Sequence, residues 1–258
     1  MGLFGKLFEK KVCSICNGDI GLLGNRKLED GNMCKECAGK LSPWFSDRRN
    51  STVEEIEAQL AYREENKNAV ADFTITKSFE SSPKVLIDED AEKFMVTYAS
   101  NLKEANPDVL DFSMVTGCEL DIEEQRSEAM KEDEEGNEES YNPPRYYFSY
   151  DFNMIIRVKH PYFDEISFRL NSSDIETNPD YAVPMMRKPD PTRHRDYQKY
   201  EEMGKEIKEI LTSVRQKQRE DAKAAAVPRT AVECPYCGAT TIPDAKGCCE
   251  YCGSALNG

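Results

Sequence analysis

Eight of the ten cysteines in this 258-residue chain fall into four Cys-x-x-Cys pairs, a spacing that constrains the fold more than any other feature. Cys13/Cys16 and Cys34/Cys37 are separated by 17 residues, and Cys234/Cys237 and Cys249/Cys252 by 11. A pair with two intervening residues can wrap one metal ion from a single tight turn. Two such pairs supply the four thiolates of a tetrahedral zinc site. A redox-active Cys-x-x-Cys would want a βαβ setting, which neither end offers. The chain therefore reads as holding structural Zn2+ at each end, about two ions per chain, with no coordination position left for a reactive water.

Charged residues make up 32% and hydrophobic residues 39%, which suits a soluble protein with a modest core. No run approaches the ~18 apolar residues needed to span a bilayer. Residues 1–12 lack the apolar stretch and cleavage site of a secretory signal. Paired thiols without an export signal point to a reducing compartment, so a cytoplasmic protein is expected. The net charge of −14 is concentrated: residues 119–139 hold eleven acidic residues against Arg126 and Lys131 alone. A chain this acidic is a poor general ligand for nucleic acid, because counterion release from phosphates requires clustered Lys and Arg.

The residue pattern gives an α+β multi-domain chain. Residues 1–11 place Leu3, Phe4, Leu7 and Phe8 at helical spacing, with Lys6, Lys10 and Lys11 opposite: a short amphipathic segment, suited to a neighbouring surface or to a membrane. Residues 12–50 form the first zinc module. Asn17-Gly18 supplies positive φ after Cys16, a hairpin turns at 29–32, and Cys34/Cys37 open a helix ending near Pro43. Knuckle, hairpin, then a ligand pair at a helix start is a treble-clef-like order, with Trp44 and Phe45 expected to cap its small core. Residues 51–71 are a connecting helix, announced by Thr52 at the cap and Glu55 three residues on.

Residues 72–221 change period. Tyr146, Phe148, Tyr150, Phe152, Met154, Ile156 and Val158 alternate with polar neighbours, which predicts a long strand with one buried face. With shorter runs at 73–79, 85–88, 94–98, 109–115, 118–122 and 166–170, about seven antiparallel strands are expected. They form a barrel or sandwich closed off by one amphipathic helix near 196–220. Gly204, in the middle of that helix's apolar stripe, suggests close approach to another backbone. Residues 222–232 read as a linker, and residues 233–258 as a second zinc module with the near-repeat Cys-Pro-Tyr-Cys-Gly and Cys-Glu-Tyr-Cys-Gly. That repeat favours Cys249 over Cys248 as the ligand. Cys118, in mid-strand, reads as a buried small hydrophobe.

No catalytic constellation is visible. His160 stands in a His-Pro turn and His194 in a basic loop, neither with an evident nucleophile, and no phosphate-cradling glycine motif is present. No enzymatic activity is expected.

The stretch MGLFGKLFEKKVCSICNGDIGLLGNRKLEDGNMCKEC, followed by SPWFSDRR, resembles a bacterial family that opens with a MGLF-type segment and a zinc finger of unknown function. The C-terminal CPYCGATTIPDAKGCCEYCGS looks like the zinc ribbons appended to many bacterial and archaeal proteins. The middle is similar in architecture to bacterial pleckstrin-homology-like domains, and fold order alone carries no function. The leading expectation is a non-enzymatic adaptor that binds a protein partner. Nucleic-acid binding through the fingers and peripheral membrane anchoring through residues 1–11 are the alternatives.

Overall fold

The computed structural model describes residues 11–226, 231–244 and 247–256. The amphipathic segment expected at residues 1–11 lies outside them except for Lys11. The chain divides between Val214 and Arg215 into two units.

In the first unit, two small hairpins come first. Strand β1 (Lys11–Val12) pairs with β2 (Asp19–Ile20), and β3 (Arg26–Lys27) pairs with β4 (Asn32–Met33). One helical turn, α1 (Lys35–Ala38), follows, shorter than the expected run to Pro43. Helix α2 (Val53–Asp72) then starts at a complete capping box, in which Thr52 and Glu55 satisfy each other's backbone N–H groups. Ile56, the first inward residue of α2, is fully buried in the finger core with Leu28, Met33 and Leu41. Gly31 lets this happen: a Cβ there would lie 2.7 Å from both Ser14 Oγ and Val53 Cγ2.

The next strands, β5 (Lys77–Phe79), β6 (Lys84–Asp88), β7 (Lys93–Thr97) and, after the turn α3 (Leu102–Ala105), β8 (Leu110–Asp111), make a four-stranded antiparallel sheet in chain order. A 3-10 turn at Phe112–Met114 breaks what the pattern suggested was one strand and redirects the chain into a second sheet. Strands β9 (Val115–Glu132) and β10 (Glu138–Val158) pair along nearly their whole length. The other edge of β10 is shared by three short strands: β11 (Glu165–Arg169), β12 (Ile175–Glu176) and β13 (Val183–Pro184). Two asparagines fill the seams between them. Asn171 accepts from the Phe152 N–H and donates to the Tyr150 carbonyl, while Asn178 accepts from Phe148 N–H and donates to the Tyr146 carbonyl. Each side chain thus completes the ladder where no strand reaches, as buried backbone groups require.

The inward face of β10 forms the main core, with Phe148, Phe152, Met154 and Ile156 fully buried against Val85, Ile87 and Phe94 of the first sheet. Helix α4 (Arg195–Ala226) covers this core with Tyr197, Ile207 and Leu211. The architecture is mixed α/β with open sheets. Of the expected barrel or sandwich, the barrel is not formed, since no ladder joins the two sheets among the described residues. The redirecting turn at Phe112–Met114 is the physical reason.

Three further expectations are corrected. Gly204 faces a side chain rather than a backbone: a Cβ there would lie 2.6 Å from Leu120 Cδ1. Trp44 and Phe45 do not cap one core together, because Trp44 packs on the sheet core and Phe45 on the finger core. Helix α4 runs on to Ala226, into the stretch read as linker, since Ala222–Ala226 is rich in the strongest helix former. Cys118 is buried as expected, at 4% exposure, and desolvation pushes its thiol up to about 12.

In the second unit, β14 (Val232–Glu233) pairs with β15 (Thr240–Thr241), and Cys248 bridges to Ala255. No helix among the described residues is long and apolar enough to cross a membrane.

Candidate metal centres

Three of the four Cys-x-x-Cys pairs adopt one backbone design. At Cys13, Cys234 and Cys249 the cysteine N–H donates to the carbonyl five residues on, Gly18, Ala239 and Ser254 respectively, at 2.8–2.9 Å. The residue four positions on returns a bond to the cysteine carbonyl. That residue needs positive φ, and Asn17 (58°), Gly238 (69°) and Gly253 (72°) provide it. Gly18, expected to share this role, does not; it lies close under Cys16 Sγ, where a Cβ would come to 3.4 Å. The fourth pair is different: Cys34 caps α1, and its sulfur accepts the Cys37 N–H at 3.3 Å.

These turns bring the sulfurs of Cys13, Cys16, Cys34 and Cys37 within 4.8 Å of one another, and likewise those of Cys234, Cys237, Cys249 and Cys252. Closest approaches are 3.9 Å for Cys16–Cys34, 3.6 Å for Cys234–Cys252 and 3.7 Å for Cys237–Cys249. A disulfide would need about 2.05 Å. Four sulfurs at about 2.3 Å from a tetrahedral zinc stand about 3.8 Å apart, which the observed separations match. Both groups can therefore hold a metal ion, and four sulfur donors at these separations are consistent with zinc. Cys248 stands outside its tetrad, its N–H donated to Asp244 Oδ1 at 2.8 Å.

The electrostatics of each group fit a cation. Burial opposes ionisation of Cys13, yet N–H groups of Cys16, Cys34 and Ile15 aimed at its sulfur bring its pKa down to about 6. Cys252 is also lowered to about 6, by the Ser254 hydroxyl and N–H. At the opposite extreme, burial and the facing thiols push Cys37 upward. The Ala239 N–H pulls Cys237 down, but the thiols of Cys234, Cys252 and Cys249 outweigh it and raise the group to about 12. One thiol per group ionises early and another resists, because four thiolates cannot share so small a space without a positive ion between them. Ser254 escaped the sequence reading. Its only signal is its position just after the knuckle glycine, equivalent to Ala239 in the first repeat.

The two histidines lie elsewhere. His160 is half-buried against Tyr62, Tyr162 and Phe163, its pKa lowered by that burial, and His194 has a buried Nδ1 without a partner.

Residues 11–59 match a domain of unknown function, DUF4428. The matched segment takes in the first cysteine group, both finger hairpins and the first turns of α2, including the Ile56 that completes the finger core. Comparison with curated proteins and with solved structures finds no match.

Proposed function

We propose that this chain is a non-enzymatic interaction protein, stapled by structural zinc at both ends, that binds a protein partner in the cytoplasm. The observation that carries this reading is the closed donor set at each end. Four sulfurs complete a tetrahedron and leave no position for substrate or water, so the metal would organise surface rather than perform chemistry. Free thiols in both groups fit a reducing compartment. Antiparallel strands followed by one helix that closes the core support a scaffold of the pleckstrin-homology-like kind, with open sheets as the departure from it.

The C-terminal module is the preferred contact. Tyr236 and Tyr251, at equivalent knuckle positions, are 72% and 71% exposed, and exposed aromatics of this kind anchor protein interfaces. In-cell crosslinking, followed by rebinding of the purified partner, tests the reading. Wild type is expected to retain one partner that Tyr236→Ser/Tyr251→Ser loses while keeping its zinc. Turnover of a substrate that depends on a defined side chain would overturn it.

A further inference from the structure

Residues 21–24 of the finger, Gly-Leu-Leu-Gly, form a turn closed by the Gly24 N–H on the Gly21 carbonyl at 2.9 Å. Its two central positions are usually occupied by Pro, Gly, Asn, Asp or Ser. Here they are Leu22 and Leu23, 84% and 90% exposed. A single exposed leucine is ordinary. Two adjacent ones at a turn tip are in neither apolar core among the described residues.

Basic groups lie on the strand that follows that tip and on the segment hydrogen-bonded to it. Arg26 Nη1 donates to the Leu23 carbonyl at 3.4 Å and to the Asn25 carbonyl at 3.3 Å, which holds its guanidinium against the turn. Arg48 donates to the Lys27 carbonyl, and its pKa is lowered by burial and by the neighbouring Arg26 and Arg49 charges. Among the described residues none of Arg26, Lys27, Arg48 and Arg49 is paired with a carboxylate. In a chain of net charge −14, four uncompensated cations at one place stand out.

We propose that the finger docks on an anionic lipid bilayer, inserting Leu22 and Leu23 below the headgroups while Arg26, Lys27, Arg48 and Arg49 meet the lipid phosphates. Apolar tip plus basic flank is the combination an acidic membrane surface rewards. A nucleic acid would satisfy the arginines but leave both leucines in water. This surface is separate from the tyrosines assigned above to a protein partner, so either reading can fail alone.

Vesicle co-sedimentation of the full-length, zinc-loaded protein is the test. Wild type is expected to bind phosphatidylcholine vesicles containing phosphatidylserine and not phosphatidylcholine alone. Leu22→Ser/Leu23→Ser should weaken partitioning by at least about tenfold, and Lys27→Gln/Arg49→Gln by about 25-fold. All four side chains are exposed, so zinc content and unfolding midpoint should stay unchanged and exclude misfolding as the cause. Unchanged partitioning of the leucine variant, or equal binding to both vesicle types, overturns the proposal. So does a gel shift with DNA or RNA at low salt in the absence of vesicle binding.

Discussion

Arg63 and Asp108 form a buried ion pair at 2.7 Å, with side chains 6% and 0% exposed, that fastens helix α2 to the loop leading into β8, the last strand of the first sheet. Both partners are fully employed. Asp108 also accepts from the Ser42 hydroxyl at 2.8 Å and from Tyr62 at 3.1 Å, while Arg63 donates to the carbonyls of Lys40 and Asn106. Ser42 and Lys40 follow Cys37 of the first cysteine group by a few residues, so the finger and the sheets are held by one network. Buried pairs of this kind are costly to halve, since the surviving charge is left unsolvated.

Asp108→Ala should therefore destabilise the chain by about 3–5 kcal/mol. Asp108→Asn, which keeps two acceptor bonds but loses the charge, should still be clearly destabilising. Urea unfolding followed by circular dichroism measures both, and a loss under about 1 kcal/mol for the alanine variant would refute the fastening role.

Gln59 is fully buried on the same face of α2, yet among the described residues neither its amide nitrogen nor its oxygen has a hydrogen-bond partner. An unsatisfied buried polar group costs about 1–3 kcal/mol. Gln59→Met, similar in shape, should raise stability by about 1 kcal/mol. A lower melting temperature would show that the amide is satisfied after all.

Gly204 in α4 sits where any Cβ would strike Leu120. Helix propensity alone favours Ala there by about 1 kcal/mol. Overpacking should outweigh it, so Gly204→Ala is expected to destabilise by about 1–2 kcal/mol. Adding Leu120→Ala removes the obstacle, and the double variant should lose less than the two single losses combined. A strictly additive cycle would contradict the contact.

Zinc affinity should rise with pH. Metal binding requires thiolates, and in each group a single thiol, Cys13 or Cys252, has its pKa lowered to about 6. That charge is present above pH about 6 and is lost as pH falls through it, while Cys37 and Cys237 are shifted upward and give up protons when zinc enters, so affinity should drop on acidification. Calorimetric zinc titrations in buffers of different ionisation enthalpy give the proton count. Cys37→Ser should leave about one zinc per chain and Cys37→Ser/Cys249→Ser none, with equal loading of all three forms contradicting the assignment.

Much of the metal chemistry was legible in sequence because ligand spacing is a local property. The alternation from Tyr146 to Val158 announced β10 for the same reason, and the Thr52/Glu55 box announced α2. What escaped is set by distant partners. Strand β9 extends to Glu132, well past the expected end at Ile122, although Ala129 is its one buried residue beyond that point. Its pairing with β10, rather than any pattern of its own, holds it extended. Asn171 and Asn178 read as loop residues until three strands converge on one edge and leave seams to fill. Leu22 and Leu23 drew no reading from the sequence, and their exposure emerges only from the turn that carries them.

The position of β10 also sets where this chain can change length. Four other strands take their register from it, three of them along a single edge. One residue inserted near Met154 would exchange inside for outside against β9 and β11 together, because side chains alternate with a period of two. The tip between Glu132 and Glu138 pairs with no other strand among the described residues. A fluorescent protein, an affinity tag or a crosslinkable peptide spliced into that tip would leave every ladder intact, which makes it the natural place to attach a probe to the working molecule.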